Sequence, residues 1–103
     1  MAVPALSFAK SKDYICSITH HTQNADGTIS SDFVGDDLRL HDLGNLFSMT
    51  IAGQKVESPE LKSVEVDGDK ALAGKRGDLL FIKMNGMYIM RTENEGYVIS
   101  ACK

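Results

Sequence analysis

Turn signals recur at short intervals in the second half of the chain, and they constrain the fold more than any other feature. Between residues 61 and 102, short apolar runs alternate with joints at Asp67-Gly68, Gly74 to Gly77, Asn85-Gly86 and Glu95-Gly96. Asn-Gly and Asp-Gly between apolar runs are strong hairpin signals, because these residues readily adopt positive φ. This half of the chain is therefore predicted to be a meander of five antiparallel strands.

The first half begins with a predicted hairpin. Segment 13–22 reads as a strand with Tyr14, Cys16 and Ile18 on one side, and the Asp-Gly pair within 24–28 predicts a turn into a second strand. We expect this hairpin to precede the meander in the same sheet.

Segment 35–53 predicts a helix. Four apolar residues recur along it at helical spacing, namely Leu40, Leu43, Phe47 and Ile51. Asp36 or Asp37 is expected to cap its N-terminus, and Gly53 to end it. The order β-β-α-β-β-β-β-β then predicts an α+β fold: a central antiparallel sheet of about six to seven strands with a crossing helix.

Length and composition indicate a single domain over 1–103. No apolar run approaches the length of a membrane span, and the N-terminal MAVPALSFAK lacks the basic start and long apolar stretch of a signal peptide. We therefore expect a cytoplasmic protein. The net charge of −3 argues against nucleic acid as a partner.

Two cysteines, Cys16 and Cys102, fit no metal-binding spacing. Each lies in an apolar, strand-like run, where a free cysteine is usually a small core residue. We expect buried thiols, since a cytosolic setting keeps them reduced. The alternative is a disulfide between the first and last strands, which requires those strands to be neighbours.

No set of residues predicts catalysis, a metal site or a cofactor. His20 and His21 are adjacent in a predicted strand and point to opposite faces, so they do not readily ligate one ion. No Ser, Thr or Cys stands in a nucleophile motif, and no phosphate-binding glycine motif is present. We expect a non-enzymatic protein.

Basic residues concentrate in the meander. From Lys62 to Arg91, six basic residues oppose four acidic ones, a net charge of +2, which leaves −5 for the rest of a chain whose total is −3. The sequence predicts a partner-binding face made of Lys70, Lys75, Arg76, Lys83 and Arg91, with Lys75 and Arg76 at a hairpin tip. The alternative is that these charges only keep hairpin ends soluble and protect sheet edges.

Three methionines, Met84, Met87 and Met90, flank the Asn-Gly turn. At strand spacing beside Phe81 and Tyr88 they are expected to fill the core. The alternative is an adaptable, methionine-rich binding surface.

Residues 63–90 resemble the meander of profilins, the small actin-binding proteins. GKRG at 74–77 matches the basic turn of that family, LFIKM at 80–84 is similar to its next strand, and MTIAGQK at 49–55 to the end of its helix. The resemblance implies an actin-monomer binder that also contacts acidic phosphoinositides, with Lys75, Arg76 and Lys83 as binding residues. Profilins bind proline-rich ligands through aromatics of terminal helices, and this chain has no Trp, so we do not expect that activity.

GMYIMRTENEGYVISAC at 86–102 also resembles the closing hairpin of roadblock-type dynein light chains. That resemblance implies a homodimeric scaffold for small GTPases or motor complexes, paired through its helix and sheet edge. The two resemblances differ in oligomeric state, so either a monomer or a weak homodimer is expected.

Overall fold

Nine antiparallel strands in one curled sheet make up residues 11–103. The computed structural model describes residues 11–103, and among these no residue is helical. The strands are β1 (Lys12–Gln23), β2 (Ile29–Asp42), β3 (Phe47–Ile51), β4 (Gln54–Glu57), β5 (Lys62–Val66), β6 (Asp69–Arg76), β7 (Leu79–Met84), β8 (Met87–Arg91) and β9 (Glu95–Ser100). Their order across the sheet is β4-β3-β2-β1-β9-β8-β7-β6-β5.

The predicted helix over 35–53 is wrong. Its residues form the end of β2, a turn at 43–46, β3, and the turn into β4. Leu38, Leu40 and Asp42 are all buried, which is the two-residue period of a strand. Leu43, expected on the buried side of the helix, lies in the turn and is 38% exposed. The turn is completed by Gly44 at φ +95°, a conformation that favours glycine.

Because that helix is not formed, the predicted α+β fold class and both family resemblances are wrong. Profilin-like and roadblock-like folds need helices, whereas residues 11–103 are all-β with nine strands rather than six or seven. The prediction that the basic residues of GKRG form a hairpin turn is also wrong. Lys75 and Arg76 are the last residues of β6, and the turn is formed by Gly77 and Asp78.

The predicted hairpin and meander are confirmed. β1 and β2 pair around the Asp-Gly turn, with Gln23 opposite Ile29. Strands β5 to β9 follow one another as antiparallel neighbours. Asn85 and Gly86 both have positive φ, at 48° and 77°, as a tight two-residue hairpin turn requires.

Curling of the sheet encloses one core. The ring of Phe47 on β3 lies 5.0 Å from that of Tyr88 on β8 and 6.1 Å from that of Phe81 on β7, although several strands separate them in the sheet. The segment 58–61 completes this closure. The Ser58 amide donates to the Phe47 carbonyl and the Leu61 amide to the Asn45 carbonyl.

The expectation of free thiols is wrong. Cys16 and Cys102 form a disulfide, because β1 and β9 are neighbours and bring the two residues to a Cα–Cα distance of 4.0 Å. The Lys103 amide and carbonyl pair with those of Ile15 beside it. The disulfide therefore fastens the segment after β9 to the first strand.

The expectation that no signal peptide is present concerns residues 1–10, which lie outside the described residues. In the described part of the chain, no helix has the length and hydrophobicity needed to cross a bilayer.

Candidate binding face

The meander has one side turned toward the core and one turned away from it. Phe81, Tyr88 and Ile99 face the core and are at most 4% exposed. Side chains alternate along a strand, so Ile82 and Ile89, the sequence neighbours of Phe81 and Tyr88, project from the opposite side. We call that opposite side the outer face.

Cross-strand register aligns apolar residues over the outer face. One row crosses the sheet from β2 to β6 through Phe33, Thr19, Val98, Ile89, Ile82 and Ala73, each opposite the next. Only Thr19 in this row is polar. The meander thus presents apolar side chains away from the core as well as toward it, whereas an antiparallel sheet with one solvated face normally carries polar residues there.

More apolar residues widen this row. Leu80, Met84, Met87 and Val64 project from the same side by strand alternation. Phe33 is 68% exposed and Val64 38%, while Ile82, Ile89 and Val98 are half-buried by their neighbours within the sheet. The residues 11–103 supply no second layer over this face.

Charged residues border the apolar row at one end. Lys75 and Arg91 lie opposite Leu80 on either side, and Asp78 and Glu93 line the same depression. A second depression of about 190 Å³ lies between Ile29, Ile89 and Val98. An apolar centre with a mixed-charge rim is the usual anatomy of a protein–protein interface.

The five predicted binding residues do not lie on one face. Lys75 and Arg91 are on the outer face, while Lys70 and Lys83 border a depression of about 260 Å³ on the core side. Arg76 also projects to the core side, where its guanidinium donates to the Glu57 carbonyl at 2.6 Å. The sheet therefore brings together Lys75 with Arg91, and separately Lys70 with Lys83.

Lys83 belongs to a polar cluster. Its Nζ lies 2.9 Å from Asp42 Oδ2 and also donates to Asp42 Oδ1 at 3.0 Å and to the Gly44 carbonyl at 3.1 Å. Tyr88 donates its hydroxyl to Asp42 Oδ2 at 2.6 Å. The charge of Lys83 is thus satisfied inside the protein, and the residue holds the end of β2 to β7.

The same cluster shifts two pKa values. Burial raises the pKa of Asp42, but hydrogen bonds from Tyr88 and Lys83 outweigh it and leave the pKa below its ordinary value. Burial, followed by the hydrogen bond to Asp42, raises the pKa of Tyr88. Asp42 is therefore an anion and Tyr88 a neutral donor at neutral pH, which is the arrangement of a structural tie.

The histidines lie in separate pairs. His20 Nε2 is 3.0 Å from Glu95 Oε1, Ser31 and His21 form a hydrogen bond, and His41 pairs with Asp13. In the described ranges no cluster of three or more His, Cys, Asp or Glu side chains forms a possible metal site.

The methionine expectation is right for one residue of three. Met90 is 7% exposed in the core, whereas Met84 and Met87 lie on the outer face. Sequence reasoning missed the outer face because LLFIKM and MYIMR are apolar at both alternating positions. Apolar residues at both alternating positions are the sequence signal for this face, since a strand with one solvated side alternates apolar with polar residues.

Comparison with known proteins adds no relative. No family model matches the chain, and neither the curated proteins nor the solved structures give a significant match. The geometry of the outer face is therefore the basis for a functional proposal.

Proposed function

We propose that this protein is a non-enzymatic binding domain that docks a partner protein on the outer face of its meander. The observation that carries this proposal is the apolar row through Phe33, Val98, Ile89 and Ile82. Apolar side chains on the outer face do not pack in the core, and their exposure to water is unfavourable. Contiguous exposed apolar patches of this kind mark interaction sites.

The partner is expected to offer apolar side chains at the centre and polar groups at the rim. Lys75 and Arg91 can donate to acidic groups of the partner there, while Asp78 and Glu93 can accept from basic ones. This mixed rim orients a partner rather than selecting one charge. Of the five basic residues predicted to bind a partner, the proposal retains Lys75 and Arg91.

The earlier expectations of actin, phosphoinositides or a scaffold for small GTPases stay untested. They took their content from folds that need helices, and no contact within residues 11–103 favours them. The cytoplasmic location also stays a prediction. The disulfide between Cys16 and Cys102 favours an oxidising compartment instead, because cytosolic reductants keep most thiols reduced.

Photo-crosslinking from Ile82 tests the proposal. A photoreactive amino acid at Ile82 should capture a partner that the same group at Ser63, an exposed residue on the core side, does not capture. The captured protein is then purified and titrated against variants. Ile89→Asn should weaken binding about tenfold or more, since it places an amide at the centre of the face.

Leu43→Asn is the matched control, because Leu43 is an exposed apolar residue in the turn before β3. It should change affinity by less than about twofold. Thermal unfolding of both variants establishes that each is folded. Equal affinity of folded Ile89→Asn and the parent protein, or capture of the same protein from Ser63, would rule out the outer face as the docking surface.

A further inference from the structure

A strand edge that adjoins the outer face is left without a partner in the sheet. β2 pairs with β3 only through Leu40, His41 and Asp42, although it extends back to Ile29. We call residues 29–37 the free edge. Within the described residues its backbone groups on that side have no backbone partner.

Large apolar side chains accompany the free edge. Ile29 is 62% exposed, Phe33 68% and Val34 53%, which makes them the three most exposed large hydrophobic residues described. Unpaired N–H and C=O groups with exposed apolar side chains form a template for another strand. Proteins that bind peptides by strand addition use such an edge, with backbone hydrogen bonds for affinity and alternate side chains for specificity.

Only part of the free edge is regular. The register between β1 and β2 shifts twice, between Cys16 and Ile18 and again between Ile18 and Thr19. These irregularities fall within 34–37, whereas 29–33 pairs with β1 residue by residue. A strand of about five residues therefore fits the regular part.

The charge of the free edge identifies the type of occupant. It carries Asp32, Asp36 and Asp37 and no Lys or Arg. A second copy of this chain pairing through the same edge would bring six carboxylates into one interface without a cation from either edge. A partner segment with Lys or Arg between apolar residues meets both the acidic and the apolar side chains.

We propose that the free edge of β2 accepts an extended segment of a partner protein in which Lys or Arg alternates with apolar residues. Backbone pairing with 29–33 fixes the segment as an added strand. Within this stretch a cation of the segment faces Asp32 and its apolar residues cover Ile29 and Phe33, while a cation beyond the stretch lies toward Asp36 and Asp37. This strand addition uses the backbone of β2, whereas the proposed function uses outer-face side chains centred on β7 to β9; the two surfaces share Phe33 at the β2 end of the apolar row.

Isotope-labelled protein titrated with synthetic peptides tests this inference by NMR. The probe is a short peptide of alternating Lys and Val, compared with a Glu–Val peptide and with the Lys–Val peptide methylated at alternate backbone amides. The Lys–Val peptide should shift the amide signals of 29–37 and slow their hydrogen exchange. The other two should bind at least about tenfold more weakly, the first by charge and the second by loss of backbone hydrogen bonds.

Charge reversal supplies the decisive control. The triple variant Asp32→Lys, Asp36→Lys, Asp37→Lys should reverse the preference and favour the Glu–Val peptide. A matched triple variant has the same change of net charge at the opposite end of the sheet: Glu65→Lys, Asp67→Lys, Asp69→Lys. It should keep the parent preference, because its charges are exposed far from β2 in the strand order.

Four outcomes overturn the inference. Absence of binding by all peptides means that the aspartates guard the edge against strand addition. An equal response of both triple variants means non-specific attraction. Concentration-dependent dimerisation with protection of β2 in the protein alone assigns the edge to a second copy. Shifts confined to the outer face around Ile82 and Ile89 assign peptide binding to the proposed function instead.

Discussion

Lys83 and Asp42 form an ion pair across the core, with Lys83 Nζ 2.9 Å from Asp42 Oδ2. The Asp42 side chain is 10% exposed and that of Lys83 26%, so the pair is only partly screened by water. Asp42 also accepts from the Gly44 amide at 2.7 Å and from the Tyr88 hydroxyl. One carboxylate thus joins the end of β2, the following turn, β7 and β8, and its partners must be lost together if the sheet uncurls.

Tyr88→Phe should destabilise the protein by about 1–2 kcal/mol. It removes the hydrogen bond to Asp42 and leaves a buried carboxylate oxygen with one donor fewer, while the ring is retained. Urea unfolding at neutral pH measures the change. Tyr97→Phe is the control and should cost less, since the Tyr97 hydroxyl has no hydrogen-bond partner among the side chains of the described residues. Equal losses in the two variants would contradict a structural role for the Tyr88 hydroxyl.

Acid should weaken the fold through Asp42. Its pKa is lower in the folded protein than in the unfolded chain, so the unfolded chain takes up the proton first as the pH falls. The stabilisation is complete above the ordinary aspartate pKa of about 3.9 and is lost as the pH drops below it. Urea unfolding at a series of pH values should show a smaller loss in acid for Asp42→Asn than for the parent. Parallel curves for the two proteins would exclude Asp42 as a contributor.

Alkali should also weaken the fold, through Tyr88. Its pKa is raised in the folded protein, so the folded state keeps the proton when the unfolded chain has begun to lose it, and stability decreases as the pH rises above about 10. Absorbance titration of phenolate in the parent and in Tyr88→Phe isolates this residue. The difference between the two titrations should appear only above the ordinary range of tyrosine. A difference centred near pH 10 would mean that Tyr88 is accessible to water.

The meander was predictable because its signals are local. Asn85-Gly86 and Asp67-Gly68 adopt the positive φ angles that their side chains allow, whatever the rest of the chain does. The end of β2 was not predictable in this way. Leu38, Leu40 and Asp42 all point inward, but Asp42 is polar, so the apolar residues alone do not show the two-residue period of a strand. The residues that stabilise Asp42 there, Lys83 and Tyr88, are 41 and 46 residues away in sequence. Local spacing then matches a helix equally well.

The binding surfaces were less predictable still. Lys75, Arg76 and Lys83 look equivalent in sequence, but register places Lys75 on the outer face and the other two on the core side. Apolar runs such as LLFIKM also do not reveal which side is covered. That depends on how the sheet curls, which is set by contacts between strands far apart in the chain.

Loss of the disulfide should destabilise the protein by roughly 4 kcal/mol, because the bond closes a long loop with a sequence separation of 86 residues. The double variant Cys16→Ala, Cys102→Ala and the parent in reducing agent should both unfold at lower urea concentration. The double variant serves as its own control, since reducing agent should leave it unchanged. Alkylation of both cysteines in the denatured, unreduced parent would show that the bond is not formed.

Gly96→Ala should destabilise the protein by about 1–3 kcal/mol through overpacking. A Cβ at this position would lie 2.5 Å from Arg91 Cβ and 2.9 Å from the Met90 carbonyl, so the backbones of β8 and β9 must move apart. Gly35→Ala is the matched control within a strand, because its Cβ would meet only the Asp37 carboxylate at 3.4 Å. Urea unfolding should give little change for Gly35→Ala, or a small gain from reduced backbone entropy of the unfolded chain. Equal effects at the two glycines would contradict the close approach of Arg91 to β9, and with it the packing that sets one end of the outer face.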